Sequence, residues 1–253
     1  MVLKQILVAT IGFIVLILWY SSYQVSCLVL IIPFLIGVIL AKANFEYSNV
    51  RKKCLADCYF NQDTMIHTLL TKKVFVLLLS ILSGIFLSTI LILNIITFNI
   101  SDFILLFMDM IFIVMIYNYI QKIQFLQNNI KYPILKNTTS IISSGIFMII
   151  FLLVSFYQTP PLYIQDDLVQ TIHTASNQVY SNCNFIDWIS SISNELVATK
   201  WWIMLKVTIQ SDNMYLKYIM WVVYLMGNYL MLFAFARFIT EILHITKDQI
   251  NGK

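Results

Sequence analysis

Charge is scarce in this sequence: Asp, Glu, Lys and Arg supply 11% of 253 residues, where soluble globular proteins carry about 25%. An ordinary soluble domain is therefore excluded. Histidine occurs three times, as His67, His173 and His244. Each falls in a different region, so a paired-histidine haem or metal site inside a bilayer is not expected. The sequence also lacks HExxH, GxSxG, a Walker loop and GxGxxG. No catalytic residue, metal site or cofactor is expected, and no internal repeat or low-complexity tract is visible.

What the chain has in quantity is apolar sequence, 60% of its residues against about 45–50% in soluble proteins. It is gathered in runs at 3–20, 25–41, 74–98, 103–120, 139–157 and 218–242. Each run approaches the roughly 20 residues that a helix needs to cross a hydrocarbon core of about 30 Å, and is far longer than a barrel strand. Lipid offers no partner to an open backbone group, so these runs read as helices. The expected fold is all-α: a polytopic bundle of about six transmembrane helices, residues 1–253 forming a single membrane domain. Lys4 with the apolar stretch from Ile6 to Leu18 resembles a signal peptide, and Cys27 resembles a lipoprotein acceptor. Gln24 stands where an aliphatic residue is normal and Leu28 to Leu40 is apolar, so the first two runs read as a helical hairpin about Ser21 to Gln24.

Six spans put Lys200, Lys206 and Lys217 on one side and the other 13 of the 16 basic residues on the opposite side. The positive-inside rule makes the basic side cytoplasmic, with both termini and the loop 42–73. A bacterial plasma (inner) membrane is expected; insertion from a mitochondrial matrix gives the same bias. The net charge of +4 is thus a topology signal, and no nucleic-acid partner is expected. The expected partners are the lipid bilayer, whose anionic head groups suit Arg51, Lys52 and Lys53, and other membrane subunits.

Pro160 and Pro161 end the fifth span, at the start of the external segment 158–217. Ile164, Leu168, Ile172, Ala175 and Val179 form an apolar stripe behind Asp166 and Asp167, which suit a helix N-terminus. Asn184 with Asp187 opens a second stripe, Ile186, Ile189, Ile192 and Leu196. Two amphipathic helices are expected, lying on the bilayer interface, on the tops of the spans or against a partner. Trp201 to Ile209 is too short to span and reads as an interfacial patch. After the fourth span, Gln121 to Asn129 reads as a helix extension that Pro133 interrupts.

Asp109 is the sharpest candidate, because a carboxylate at membrane depth costs about 2.5–3.5 kcal/mol on insertion scales and faces the bundle interior. It reads either as a proton or cation site, with Asn94, Asn118 and Asn228 as further polar candidates, or as a structural group bonded to a neighbouring helix. Arg237 and Glu241, four apart, read as an ion pair along one helix face or as side chains reaching the head groups. Ser80, Gly84 and Ser88, like Ser140 and Ser144, recur at helical spacing and read as faces for close helix packing. Cys54, Cys58, Asp63 and His67 share the first loop, but Cys-x3-Cys with one distant histidine is a weak metal pattern, and free thiols are expected. Cys27 in a span and Cys183 outside leave no expected intramolecular disulfide.

The functional expectation is a non-catalytic integral membrane subunit of a larger complex of secretion, conjugation or respiratory type. The alternative is a transporter or ion- or proton-conducting protein that uses Asp109; Pro33 with Gly37, and Gly227 with Asn228, would be its helix breaks. An intramembrane enzyme and a membrane immunity protein are more distant alternatives.

Overall fold

The computed structural model describes residues 2–59, 72–123, 131–155, 161–177, 181–210 and 214–250. Eight α-helices stand among them: α1 Val2–Ser22, α2 Ile31–Tyr59, α3 Lys73–Ile96, α4 Ile100–Lys122, α5 Tyr132–Ser155, α6 Leu168–Ser176, α7 Asn184–Gln210 and α8 Met214–Ile250. A 3-10 turn, Cys27–Leu30, leads into α2. Six of the helices are long and apolar enough to cross a membrane: α1 to α5 and α8. The chain is a multi-pass helical membrane protein.

Its burial is ordered for lipid. Large apolar side chains such as Phe34, Leu82, Phe86, Ile149 and Val223 face outward, while Ser80, Asp109, Lys136, Ser140, Ser143, Arg237 and Glu241 are buried. An alkyl group gains little by leaving lipid, whereas a polar group must find its partners within the protein. α8 packs against α1, α2, α3, α4, α5 and α7, and from Phe235 to Glu241 every residue is buried. A helix apolar around most of its circumference belongs at the centre of a bundle.

The tightest helix pair is α2 with α3. Ser88 Oγ donates to Pro33 O at 2.9 Å, Asn44 Nδ2 donates to Ser83 Oγ at 3.0 Å, and Gly84 lies directly against the backbone of Ala41. Ser80, Gly84 and Ser88 thus form a contact within this chain. Ser140 and Ser144 are fully buried on α5, with Ser140 Oγ 2.9 Å from Thr240 Oγ1 of α8.

Several boundaries differ from those read in the sequence. The helix of the second span continues to Tyr59, through much of the expected loop. Pro133 lies in the first turn of α5, where a missing N–H costs nothing; the fifth span therefore starts at Tyr132, one and a half turns or more before the apolar run. Neither Pro33 nor Gly227 breaks its helix, Pro33 also lying in a first turn. The helix extension expected to Asn129 stops at Lys122, and 124–130 lie outside the described residues, as do Asp63, His67 and Val179.

The segment 158–217, expected to be external, carries the largest corrections. α7 runs unbroken through Trp201 to Gln210, so the expected interfacial patch is the last part of one 27-residue helix. α6 is short, capped by Asp167, which accepts from Gln170 N at 3.3 Å. α7 packs on α6 and on the ends of α3 and α8, with Ser193 Oγ donating to Leu93 O at 2.5 Å. A Cys27–Cys183 disulfide, Cα–Cα 5.2 Å, joins the start of α7 to the second span, contrary to the expectation of unpaired thiols. Cys27 stands in the turn at the end of that span, and Asn182 N donates to Gln24 O beside it at 3.1 Å.

Candidate functional site

The polar groups inside the bundle follow one stripe of α5. Lys136, Ser140 and Ser143 are spaced four and three apart, so they share a helix face, and each is buried. The fully buried Asp109 of α4 accepts from Ser143 Oγ at 3.4 Å. Its second oxygen, Oδ2, has no hydrogen-bond partner among the described residues. One turn further along, Ser140 meets Thr240. Beyond that, Lys136 Nζ donates to Glu241 Oε2 at 2.8 Å and to Glu46 Oε2 at 2.6 Å.

Lys136 and Glu241 anchor a cluster at the α2, α5 and α8 contact. Lys42 Nζ, half exposed, stands 3.7 Å from Glu241 Oε1. Arg237 donates through Nη2 to Ala43 O at 2.7 Å and lies over the Tyr47 ring. Arg237 and Glu241, read as a pair along one helix face, each make their hydrogen bonds to another helix, and each is 1% exposed. Tyr132 continues the cluster: its hydroxyl bonds that of Tyr117 and accepts from Gln121 Nε2 at 3.0 Å, and its ring packs on His244.

In the sequence Lys136 reads as a loop lysine, because Pro133 reads as an interruption. Its spacing to Ser140 and Ser144 is the available signal, since 136, 140 and 144 share one helical period. Glu46, within the expected loop 42–73, carries no comparable signal.

The Asn candidates do not gather at Asp109. Asn118 Nδ2 donates to Val114 O of its own helix, and Asn94 Nδ2 likewise to Ile90 O. Asn94 and Asn228 instead line a separate cavity of about 650 Å³, under α7 and between the ends of α3, α4, α5 and α8. Lys200 of α7 enters it, donating to Asn228 Oδ1 at 2.7 Å with its ammonium 4.4 Å from the centroid of the Tyr224 ring. Asp102 is on the same wall, and Asp102 Oδ2 accepts from Asn99 N at 3.0 Å in the capping box of α4. Burial lowers the Lys200 pKa to about 8, the charge of Asp102 opposing that shift. Outside the cavity, Lys206 is bonded to Asp166 at 2.5 Å and holds that carboxyl below its ordinary range.

Cys54 and Cys58 are exposed free thiols on α2. No protein-family model, curated protein or solved structure matches this chain.

Proposed function

We propose that this chain conducts protons or small cations across its membrane, with Asp109 as the exchanging group. The observation that carries this reading is the α5 stripe, which sets Asp109–Ser143, Ser140–Thr240 and Lys136–Glu241 in series. An isolated buried carboxyl calls only for a hydrogen-bonding neighbour. A relay calls for polar groups at successive depths, in lipid where each is costly to keep. Asp109 Oδ2, without a partner among the described residues, is the acceptor such a relay needs.

The expected result is that Asp109→Asn reduces proton or cation flux in reconstituted liposomes to the level of empty liposomes, at unchanged abundance and with the disulfide formed. Asn keeps the shape and can still bond Ser143, so folding is spared while the exchangeable charge is lost. Undiminished flux in that variant would refute the relay. It would favour the second reading, a non-catalytic subunit of a larger membrane complex. That reading is supported by the reach of α2 and α8: at 29 and 37 residues they extend about 43 and 55 Å, past a core of about 30 Å. The end of α2, with exposed Arg51, Cys58 and Tyr59, is a surface on which another subunit can dock.

For orientation, the reading is a bacterial plasma membrane with both termini and the end of α2 in the cytoplasm. Two unrelated signals support it. The basic residues favour that side, and the disulfide lies at the opposite one, as an oxidising exterior requires, while the free thiols share the basic side. In intact cells a membrane-impermeant maleimide should leave Cys54 and Cys58 unmodified, and should reach Cys27 and Cys183 only after an impermeant reductant. Direct labelling of Cys54 or Cys58 would invert the threading.

A further inference from the structure

The cavity beneath α7 lies apart from the Asp109 stripe, and its walls carry charge of both signs. Lys200 comes from the cap helix and Asp102 from the first turn of α4. Around them stand amide groups of Asn94, Asn194 and Asn228 and the rings of Tyr163, Trp201 and Tyr224. At about 650 Å³ the space is within the range of about 300–1,000 Å³ typical of small-molecule sites.

We propose that this cavity binds a small zwitterionic group, its anionic end held by Lys200 and Asn228 and its ammonium end by Asp102. An ammonium has three donors, and Lys200 commits one to Asn228 Oδ1, leaving others for a carboxylate or phosphate. A purely anionic ligand would meet the Asp102 charge, and a purely cationic one would meet Lys200. A molecule with both charges meets Lys200 and Asp102 each with the opposite sign. The Tyr224 ring is taken by Lys200, and the rings of Tyr163 and Trp201 on the cavity wall add aromatic surface that suits an ammonium.

The cap is fixed in a way that suits such a site. The disulfide holds the first turn of α7 to the second span, Ser193 bonds it to α3, and Trp202 Nε1 donates to Asp166 O at 3.3 Å. Lys200 is therefore presented from a braced helix. Such preorganisation removes part of the ordering cost of binding.

Two sources share the chemistry: a free α-amino acid and the head group of phosphatidylethanolamine. The test uses the purified full chain in nanodiscs of phosphatidylglycerol, which carry no zwitterionic lipid. The standard α-amino acids are titrated one at a time, and phosphatidylethanolamine is incorporated in a parallel preparation. Binding is read by calorimetry for the amino acids and by retained lipid in native mass spectra. One of the two is expected to bind, with affinity falling about tenfold or more in Lys200→Met and in Asp102→Asn. The wild-type affinity should weaken as pH rises through about 8, where Lys200 loses its proton. Asp102, Tyr163 and Tyr224 are the other titratable groups on the cavity wall; burial raises the Tyr163 pKa above its ordinary 10.

No binding of either source overturns the proposal, as does binding that survives both substitutions in protein with an intact disulfide. Binding is read without any flux, so its failure leaves the Asp109 relay standing, and failure of the relay leaves the site standing.

Discussion

Lys136→Met is expected to destabilise the protein by about 3–5 kcal/mol, the cost of breaking a buried ion pair by removing one partner. The ammonium is 2% exposed and serves two carboxylates, Glu46 at 2.6 Å and Glu241 at 2.8 Å. With it gone, buried Glu241 keeps no hydrogen-bonded cation: Lys42 stands at 3.7 Å and half exposed, the charge of Arg237 acts on it from one turn away, and Glu46 adds a charge of the same sign. Methionine fills nearly the same volume, so lost packing contributes little. Adding Glu241→Leu to Lys136→Met should recover more than half of the loss, because the unpaired buried charge, and not the missing bond, is the larger cost. Thermal unfolding of the single and double variants in detergent measures this. A double variant as unstable as Lys136→Met alone would mean that the cluster acts through packing.

The same residue marks the limit of what could be read without coordinates. The six spans were legible because each depends only on the length and apolarity of a continuous run, a local property set by bilayer thickness. Lys136 was not, because two local rules conflicted: a proline marks a helix boundary, yet it is also favoured in the first turn, and here the second rule holds. The Cys27–Cys183 bond was less legible still. The partners are 156 residues apart, and spacing says nothing about which loop folds back over which span. Asp109 was found from burial logic alone. Ser143 and Thr240 were not, since serine and threonine are common in membrane helices and acquire meaning only when a neighbouring helix places a charged or hydroxyl group opposite.

The cluster and the stripe also explain how charge is tolerated in this bundle. Lys42 and Lys136 face Glu46 and Glu241 across α2, α5 and α8, and Arg237 donates to the Ala43 carbonyl beside them, so ionised groups are neutralised mainly between helices. The pairings between helices need α2, α5 and α8 at fixed separation and register. The polar interior therefore depends on the tight apolar packing beside it, and the α2–α3 seam is where that packing is closest.

Gly84→Leu tests that seam and should be the most damaging change to a residue without any polar group. A Cβ at position 84 would lie 2.6 Å from Ala41 N and 2.7 Å from Ala41 Cα. These are backbone atoms, which cannot move aside as a side-chain tip can, so even Gly84→Ala must push α2 away from α3. Moving them apart strains the Ser88–Pro33 and Asn44–Ser83 hydrogen bonds on either side and opens a gap that lipid chains fill without restoring the lost contacts. Overpacking costs about 1–3 kcal/mol where side chains can adjust, and a backbone obstruction should exceed that range. Gly145→Leu is the matched control, since a Cβ there meets nothing within 4 Å, and a surface change of this kind stays within about 0.5 kcal/mol. Folded yield and thermal midpoint of the two variants, measured side by side in one detergent, give the comparison. Equal behaviour of Gly84→Leu and Gly145→Leu would show that α2 and α3 are not in backbone contact in the membrane.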